Sequence, residues 1–403
     1  MKLRIILRDD CWREFRPITT TRPTADILAG SFTFLGRLQK LFPESSFSVF
    51  CRPEVGKAFS ARRGFLVNEP SPEERPILLT RPNVLFSEDL REAVTRSSPG
   101  TSFVSEDRVV AALLQGEDLP DSLEELDYDR IQIKAQIAET APDLVNINAE
   151  LIELDFREHY VPMVSGEFHP SAAFYGKENI YVSRSAEIMA GAVLDARSGP
   201  IIVEDGAEVG PGVSIQGPCY IGPETKLVSG WIRPGCSFGP ACRIGGEVEA
   251  SIFNGYSNKY HEGFVGYSLI GEWVNLGALT TTSDLKNNYG EIRINMGDGE
   301  RSTGRIKLGS FIGDHSKTGI GALLNSGTVI GAHVNHYGTG LPPKFIPDFS
   351  WGSVDSYVVY QLEKALETAR KVMLRRGVEM LPAEEELYRG IFRRREEKSQ
   401  KRD

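Results

Sequence analysis

The chain has 403 residues, with 46 Lys and Arg set against 55 Asp and Glu for a formal net charge of −9. That balance excludes a nucleic-acid binder, which needs a concentrated Lys and Arg surface. Five Cys without a C-x-x-C pair, and no apolar run of about 18 residues, exclude a disulfide framework and a membrane-inserted helix; reduced thiols in a cytoplasmic protein are expected. The 40 Gly are about ten per cent of the chain, above the usual roughly 7%, and call for many tight turns.

In chain order, Leu3 to Leu7 reads as an apolar strand and opens an α/β region spanning 1–158. Ile77-Leu-Leu and Asn83-Val-Leu-Phe read as short buried strands; Glu88 to Thr95 and Pro142 to Arg157 carry helical spacing. From Gly166 the pattern changes to a period of six. Aliphatic residues recur at Val203, Val209, Ile215, Ile221 and Leu227, at Ile232, Phe238 and Ile244, and again through Ile306, Ile312, Thr318, Leu324 and Ile330. Neither a plain strand nor a helix has that period. It predicts a left-handed parallel β-helix over 165–345, in which three short strands make one coil and stacked coils bury every sixth side chain. The polar stretch Gly246 to Gly304, where the period slips, is expected to form loops on the binding face. Helices are predicted from Ser353 to Gly377 and from Pro382 to Lys398. Residues 353–403 thus form a helical cap, with Val358, Leu362, Leu366 and Val372 covering the solenoid, and Arg393 to Lys401 read as a solvated charged face.

Candidate chemistry clusters in the interruption: Arg233 in IRPG, Glu249 in GEVEAS, His261 in NKYHEGFVG, Asn275 in EWVNLGA, and Asn288-Tyr289 in LKNNYG. An amine attacks a thioester only when neutral, so a His titrating near 6.5 suits the proton acceptor, and a carboxylate on its other nitrogen fixes its tautomer. An Arg fork suits a phosphate. Asn-Asn-Tyr-Gly is also plain turn chemistry.

The run from Ile232 to Gly290 resembles the acetyltransferase half of the bacterial bifunctional UDP-N-acetylglucosamine pyrophosphorylase/glucosamine-1-phosphate N-acetyltransferase family. The whole chain resembles still more its alternative sugar-nucleotidyltransferase form, through TRPTADILAG, DLVNINAELIELDF, EWVNLGALTTTSDLKNNYG, IGDHSKTGIGALLNSGTVIG and LPPKFIPDFSWG. The resemblance implies a nucleotidylyltransferase-like α/β domain ahead of the β-helix. It makes His261 the general base, Glu249 its orienting carboxylate, and Asn288 a contact to the amine or oxyanion, with Arg233, Asn275 and Tyr289 on the sugar phosphate. It further implies acetyl-CoA as acyl donor, UTP or another NTP with Mg2+ in the first domain, a sugar phosphate or nucleotide sugar as substrate, a homotrimer with shared sites, and a role in envelope precursor synthesis.

Ser251 and Phe264 stand where the family has a substrate-binding Lys and a Tyr, leaving the acceptor open. The loop after the first strand, Leu7 to Cys11, lacks the family's glycines; Arg22-Pro23 and Gly30 are the candidates for part of its phosphate-holding role, and Asn146 resembles a metal-ligand position. His315, His333 and His336 invite a metal reading, but their H-x-x-H spacing does not match the zinc β-helix enzymes. Three readings remain open: both activities, acyl transfer alone beside a degenerate first domain, or a non-catalytic scaffold.

Overall fold

The structure, a computed structural model, describes residues 2–72 and 75–400; the end of the charged tail, from 398 on, lies outside the described side chains. The first domain is built on seven strands, β1 (Arg4–Arg8), β2 (Ser46–Phe50), β3 (Leu66–Val67), β4 (Ile77–Thr80), β5 (Thr101–Ser105), β6 (Arg108–Leu113) and β7 (Asp129–Gln132), in the sheet order β7-β5-β6-β4-β1-β2-β3. All neighbours are parallel except around β6. Strand β1 is central, which is why Leu3, Ile5, Ile6 and Leu7 are all buried on both faces of the sheet, with Arg4 the one polar residue among them. The stretch Val84–Leu85 does not join this sheet but pairs with Gln136–Ile137.

The helices of this domain are α1 (Phe34–Leu41), α2 (Pro53–Arg63), α3 (Glu88–Arg96) and α4 (Ala141–His159). Ser87 caps α3, and a reciprocal capping box between Thr140 and Asp143 opens α4.

Residues from Met163 onward wind into a three-sided parallel β-helix. One side has ten strands, from Met163–Val164 to Phe345–Ile346; the other two begin at Glu167–Phe168 and Ala173–Tyr175 and each stack six. The second side continues through single bridges at Asn275 into a four-strand sheet that ends the solenoid. Val203, Val209, Ile215, Ile221, Leu227, Ile232, Phe238 and Ile244 all point inward and are at most 1% exposed, as the period of six requires. Ile306 is the exception at 55% exposure, because it follows the strand Glu300–Arg305 outside the coil.

The interruption is shorter than the sequence suggests. Inward positions continue through Val248, Phe253, Lys259, Val265 and Ile270, and only 283–309 leaves the prism, carrying the hairpin of Ile292–Asn295 with Glu300–Arg305. The polar Lys259 can face inward because its ammonium donates to the carbonyls of Gly245 at 2.7 Å and His261 at 2.8 Å.

The predicted helix from Ser353 is also corrected. Ser350–Ser353 and Ser356–Val359 form an antiparallel hairpin that closes the last coil edge, Val358 is exposed, and helix begins only at α5 (Leu362–Leu374), followed by α6 (Pro382–Gln400). Leu366, Leu387, Tyr388 and Ile391 of these helices pack on Val55 and Ala58 of α2 and on Phe349 of the solenoid. The cap therefore ties the first domain to the β-helix.

Two buried polar knots complete that tie. Asn148 of α4 accepts the Gly30 N–H at 2.8 Å and donates to the Gly235 carbonyl at 3.0 Å and Ser237 Oγ at 2.9 Å, while Ser237 returns a bond to the Gly30 carbonyl at 2.8 Å. Beside it, Asp155 takes the Ser31 N–H, the Ser31 hydroxyl and the Arg37 guanidinium. Gly30 has φ +72°, and a Cβ there would lie 2.4 Å from Asp155 Oδ2, so only glycine fits. In the second knot, Arg22 binds Asp314 at 2.5 Å and Glu272 at 2.9 Å, and Arg63 adds Glu272 at 3.0 Å and Asp26 at 3.2 Å. Burial raises Glu272, but Arg22 and Arg63 outweigh it and hold this carboxyl below its ordinary range.

One corner of the prism is an aromatic column. Tyr256, Trp273, His315, His333 and Phe349 all take positive φ, between 50° and 62°, and their rings stack at centroid distances of 4.2, 6.2, 4.7 and 4.6 Å. Stacking at about 0.5–1.5 kcal/mol per pair offsets part of a left-handed backbone cost of about 1–2 kcal/mol per residue. Tyr388 of α6 closes the column, with its hydroxyl 3.0 Å from His315 Nε2.

Burial, with the neighbouring Lys317 charge, pulls His333 down to about 3; burial, His333 and Lys317 take His315 well below its ordinary value. Unfolded histidines take up protons below about 6.5 and these folded ones do not. Stability from the column is therefore complete above pH 6.5 and lost as the pH falls from there toward 3. Calorimetric melts are expected to show the midpoint dropping between pH 7 and pH 4. The His333→Phe variant, in which the stacked ring cannot be protonated, should show a shallower drop; an unchanged slope would refute the assignment.

Candidate functional site

A groove of about 600 Å³ runs between the second side of the solenoid and the end of α5. His261, Asn275 and Lys317 line it from the coils, Val372 from α5, and Arg375 and Arg376 from the turn that ends α5. His261 stands on the turn after Asn258–Lys259, so the Lys259 ammonium, bonded to its carbonyl, pins the backbone that carries the imidazole. The imidazole itself is exposed, and among the described residues its recorded side-chain contact is Tyr260, rings 5.2 Å apart.

Asn275 bridges the strands of Asn258 and Lys317, and its Oδ1 accepts from Asn258 Nδ2 at 3.3 Å. The lining holds Arg243, Lys317, Arg375 and Arg376 and no carboxylate. Burial, then the repulsion of Arg243 and other cations, lowers Arg376, and burial lowers Lys317 to about 8. Leu276, Ile320 and Val372 supply apolar wall. A histidine beside an apolar channel that ends in uncompensated cations suits a long ligand with an uncharged arm and an anionic head.

The other residues singled out in the sequence lie elsewhere. Arg233 and Glu249 meet on the third side: Arg233 binds Glu249 at 2.8 Å and Glu247 at 3.3 Å and lies 5.0 Å over the Trp231 ring, while Lys307 is 3.9 Å from Glu249. The Glu249 carboxylate thus engages Arg233 rather than His261. Asn288 and Tyr289 sit on the excursion, where Asn288 Oδ1 accepts the Gly290 N–H at 3.0 Å and Tyr289 takes φ +54° with 69% exposure. Arg22 is the interdomain knot described above. His336 faces inward from the second side and meets the Tyr357 hydroxyl at 2.8 Å, apart from the His315 and His333 column.

Asn146 donates its amide to the Pro142 carbonyl at 2.7 Å, which leaves Oδ1 as the atom that would hold a cation, while Asp143, three residues earlier on α4, is bonded to Thr140 and Arg305. No group of three His, Cys, Asp or Glu side chains converges on an ion site among the described residues. At the end of β1, where the resemblance calls for a phosphate-holding glycine loop, the buried Asp9 accepts the Thr24 N–H at 3.2 Å. Burial pushes its carboxyl up to about 6.

Residues 5–159 match the family model of sugar nucleotidyl transferases. A bifunctional sugar-1-phosphate nucleotidylyltransferase/acetyltransferase of Sulfurisphaera tokodaii is 37% identical over 142 residues, 34% of this chain and 35% of that protein. The bifunctional protein GlmU of Prochlorococcus marinus is 30% identical over 148 residues, 34% of this chain and 28% of that protein. The chain spans about a third of the length of these curated relatives. A solved Arabidopsis UDP-N-acetylglucosamine acyltransferase aligns with 51% of this chain and 75% of its own at 12% identity and a TM-score of 0.20. No helix among the described residues is long and apolar enough to cross a membrane.

Arg243, Arg375 and Arg376 escaped the sequence reading. The Arg375-Arg376-Gly377 string marks a basic helix end, but nothing in the sequence says that this end folds back over His261.

Proposed function

We propose that this chain is a transferase that moves an acetyl group from acetyl-CoA to a sugar phosphate or nucleotide sugar, with His261 as general base. The observation that carries the reading is a single groove holding that histidine, an apolar wall and four cations without a carboxylate. The cations take the phosphates of coenzyme A and the wall takes the pantetheine arm. Arg233, on the third side, and Lys307, at the end of the excursion beside it, take the phosphate of the sugar. A homotrimer packed on that side joins the two halves between neighbours.

The test is thiol release from acetyl-CoA over a panel of amino-sugar phosphates. Arg376→Gln is expected to raise KM for acetyl-CoA about tenfold, with kcat little changed. Acetyl-pantetheine, lacking the nucleotide phosphates, should not distinguish variant from wild type. Equal KM values with acetyl-CoA would remove the groove from donor binding.

The family match over residues 5–159 favours a second activity, transfer of a nucleotidyl group from UTP or another NTP to a sugar 1-phosphate. Asn146 Oδ1 would be a donor to Mg2+, whereas Asp143, bonded to Thr140 and Arg305, would not. Pyrophosphate release from UTP, Mg2+ and sugar 1-phosphates decides between a bifunctional enzyme and an acyltransferase whose first domain has lost its chemistry.

A further inference from the structure

A second cavity, of about 230 Å³, lies where five parts of the chain meet: the loop after β1, the β2–α2 connection, the excursion hairpin, the last coils of the solenoid and α6. Its polar lining is dominated by Arg16, Arg52, Arg394 and Arg395, and its floor is Met296, Val329, Phe345 and Ile391. Asp348 is the one carboxylate in the lining, and one of its oxygens is taken by the Ala332 N–H at 2.7 Å.

The arginines are held in place by other partners. Arg16 is fixed by Asp298 at 2.6 Å, Arg394 by Glu54 at 2.8 Å, and Arg395 donates to the Asp348 carbonyl at 2.6 Å. Arg52 is different. Its guanidinium lies 4.0 Å over the Trp12 ring and one end donates to the Thr19 carbonyl, but its Nε is buried without a partner and no carboxylate pairs with it among the described residues. Burial lowers its affinity for a proton, against the attraction of Asp9 and Glu54, neither of which forms an ion pair with it.

Converging guanidinium forks select oxyanions with several acceptor oxygens, above all phosphate. The volume falls below the roughly 300–1,000 Å³ of pockets that take drug-sized ligands, so a coenzyme or dinucleotide does not fit. We propose that this cavity binds a compact phosphorylated anion, its phosphoryl group between Arg52 and Arg394 and any small substituent against Phe345 and Ile391. Because every wall comes from a different part of the chain, its occupant bridges the first domain, the excursion and α6.

Isothermal calorimetry with inorganic phosphate and with phenyl phosphate tests this on the full chain. Both probes are expected to bind wild type. Arg52→Gln and Arg394→Gln should each weaken them about tenfold or more, while Arg376→Gln in the acyl-donor groove keeps wild-type affinity. Melts without ligand establish that each variant is folded, and Arg394, partly exposed on α6, covers the case in which Arg52→Gln is not.

Tighter binding of phenyl phosphate places an organic monoester in the cavity; equal affinities place the free anion there. Absence of heat with either probe overturns the proposal. So does loss of binding in Arg376→Gln with retention in both cavity variants, which would move the anion to the groove and leave the acyltransferase reading intact.

Discussion

His261→Ala is expected to lower kcat for acyl transfer by about 10² to 10⁴, the range contributed by a positioned general base. The imidazole is exposed in the groove, so removing it opens no cavity and leaves the groove cations in place. KM for acetyl-CoA should therefore stay near the wild-type value while turnover collapses, a split that separates lost chemistry from lost binding. Thiol release measured at saturating acetyl-CoA checks it, and turnover within about twofold of wild type would end the acid–base assignment. Lys259 offers a companion measurement. Lys259→Met keeps the imidazole but frees the turn that carries it, and is expected to reduce kcat less than His261→Ala does.

Arg22→Ala is expected to produce the largest loss of stability, about 3–5 kcal/mol, as found when one partner of a buried ion pair is removed. The side chain of Arg22 is only 7% exposed and neutralises Asp314 and Glu272 from across the domain boundary. Without it, burial, which already raises Asp314 against the pull of Arg22, would protonate that carboxyl or expel it. Urea unfolding followed by far-UV circular dichroism reads the effect as a lower midpoint. The pair of Arg197 and Asp195 is the control, since Arg197 is exposed and Arg197→Ala should leave the midpoint unchanged. Equal midpoints for wild type and Arg22→Ala would mean that the knot holds nothing.

The same knot gives Arg22 partners that its sequence context does not show. The strings TRPTADILAG and DLVNINAELIELDF carry much of the family resemblance, and they read as pieces of a nucleotide site. In the fold, Arg22, Gly30, Asn148 and Asp155 from those strings are interdomain fasteners. A buried Arg with carboxylate partners and a phosphate-binding Arg are the same letter in a sequence; only the partner distinguishes them. Asn146 and Asn148 make the point at closer range. They are two residues apart on α4, yet one bonds back to its own helix while the other joins Gly30 to Gly235 and Ser237.

The sequence by itself determined the solenoid. A period of six admits one efficient way to bury every sixth side chain, so Val203 through Ile244 could be placed inward without any long-range information. It likewise determined β1 and α4, because the mostly apolar Leu3 to Leu7 and the helical spacing of Pro142 to Arg157 are local patterns. Only the tertiary structure decided the content of the groove and the course of the chain ends. Which side of the prism α5 covers, and therefore whether Arg375 and Arg376 reach the histidine, depends on α6 packing against α2, more than 300 residues away in sequence. Local spacing fixes which face of an element is buried; the partner that buries it is a property of the whole chain.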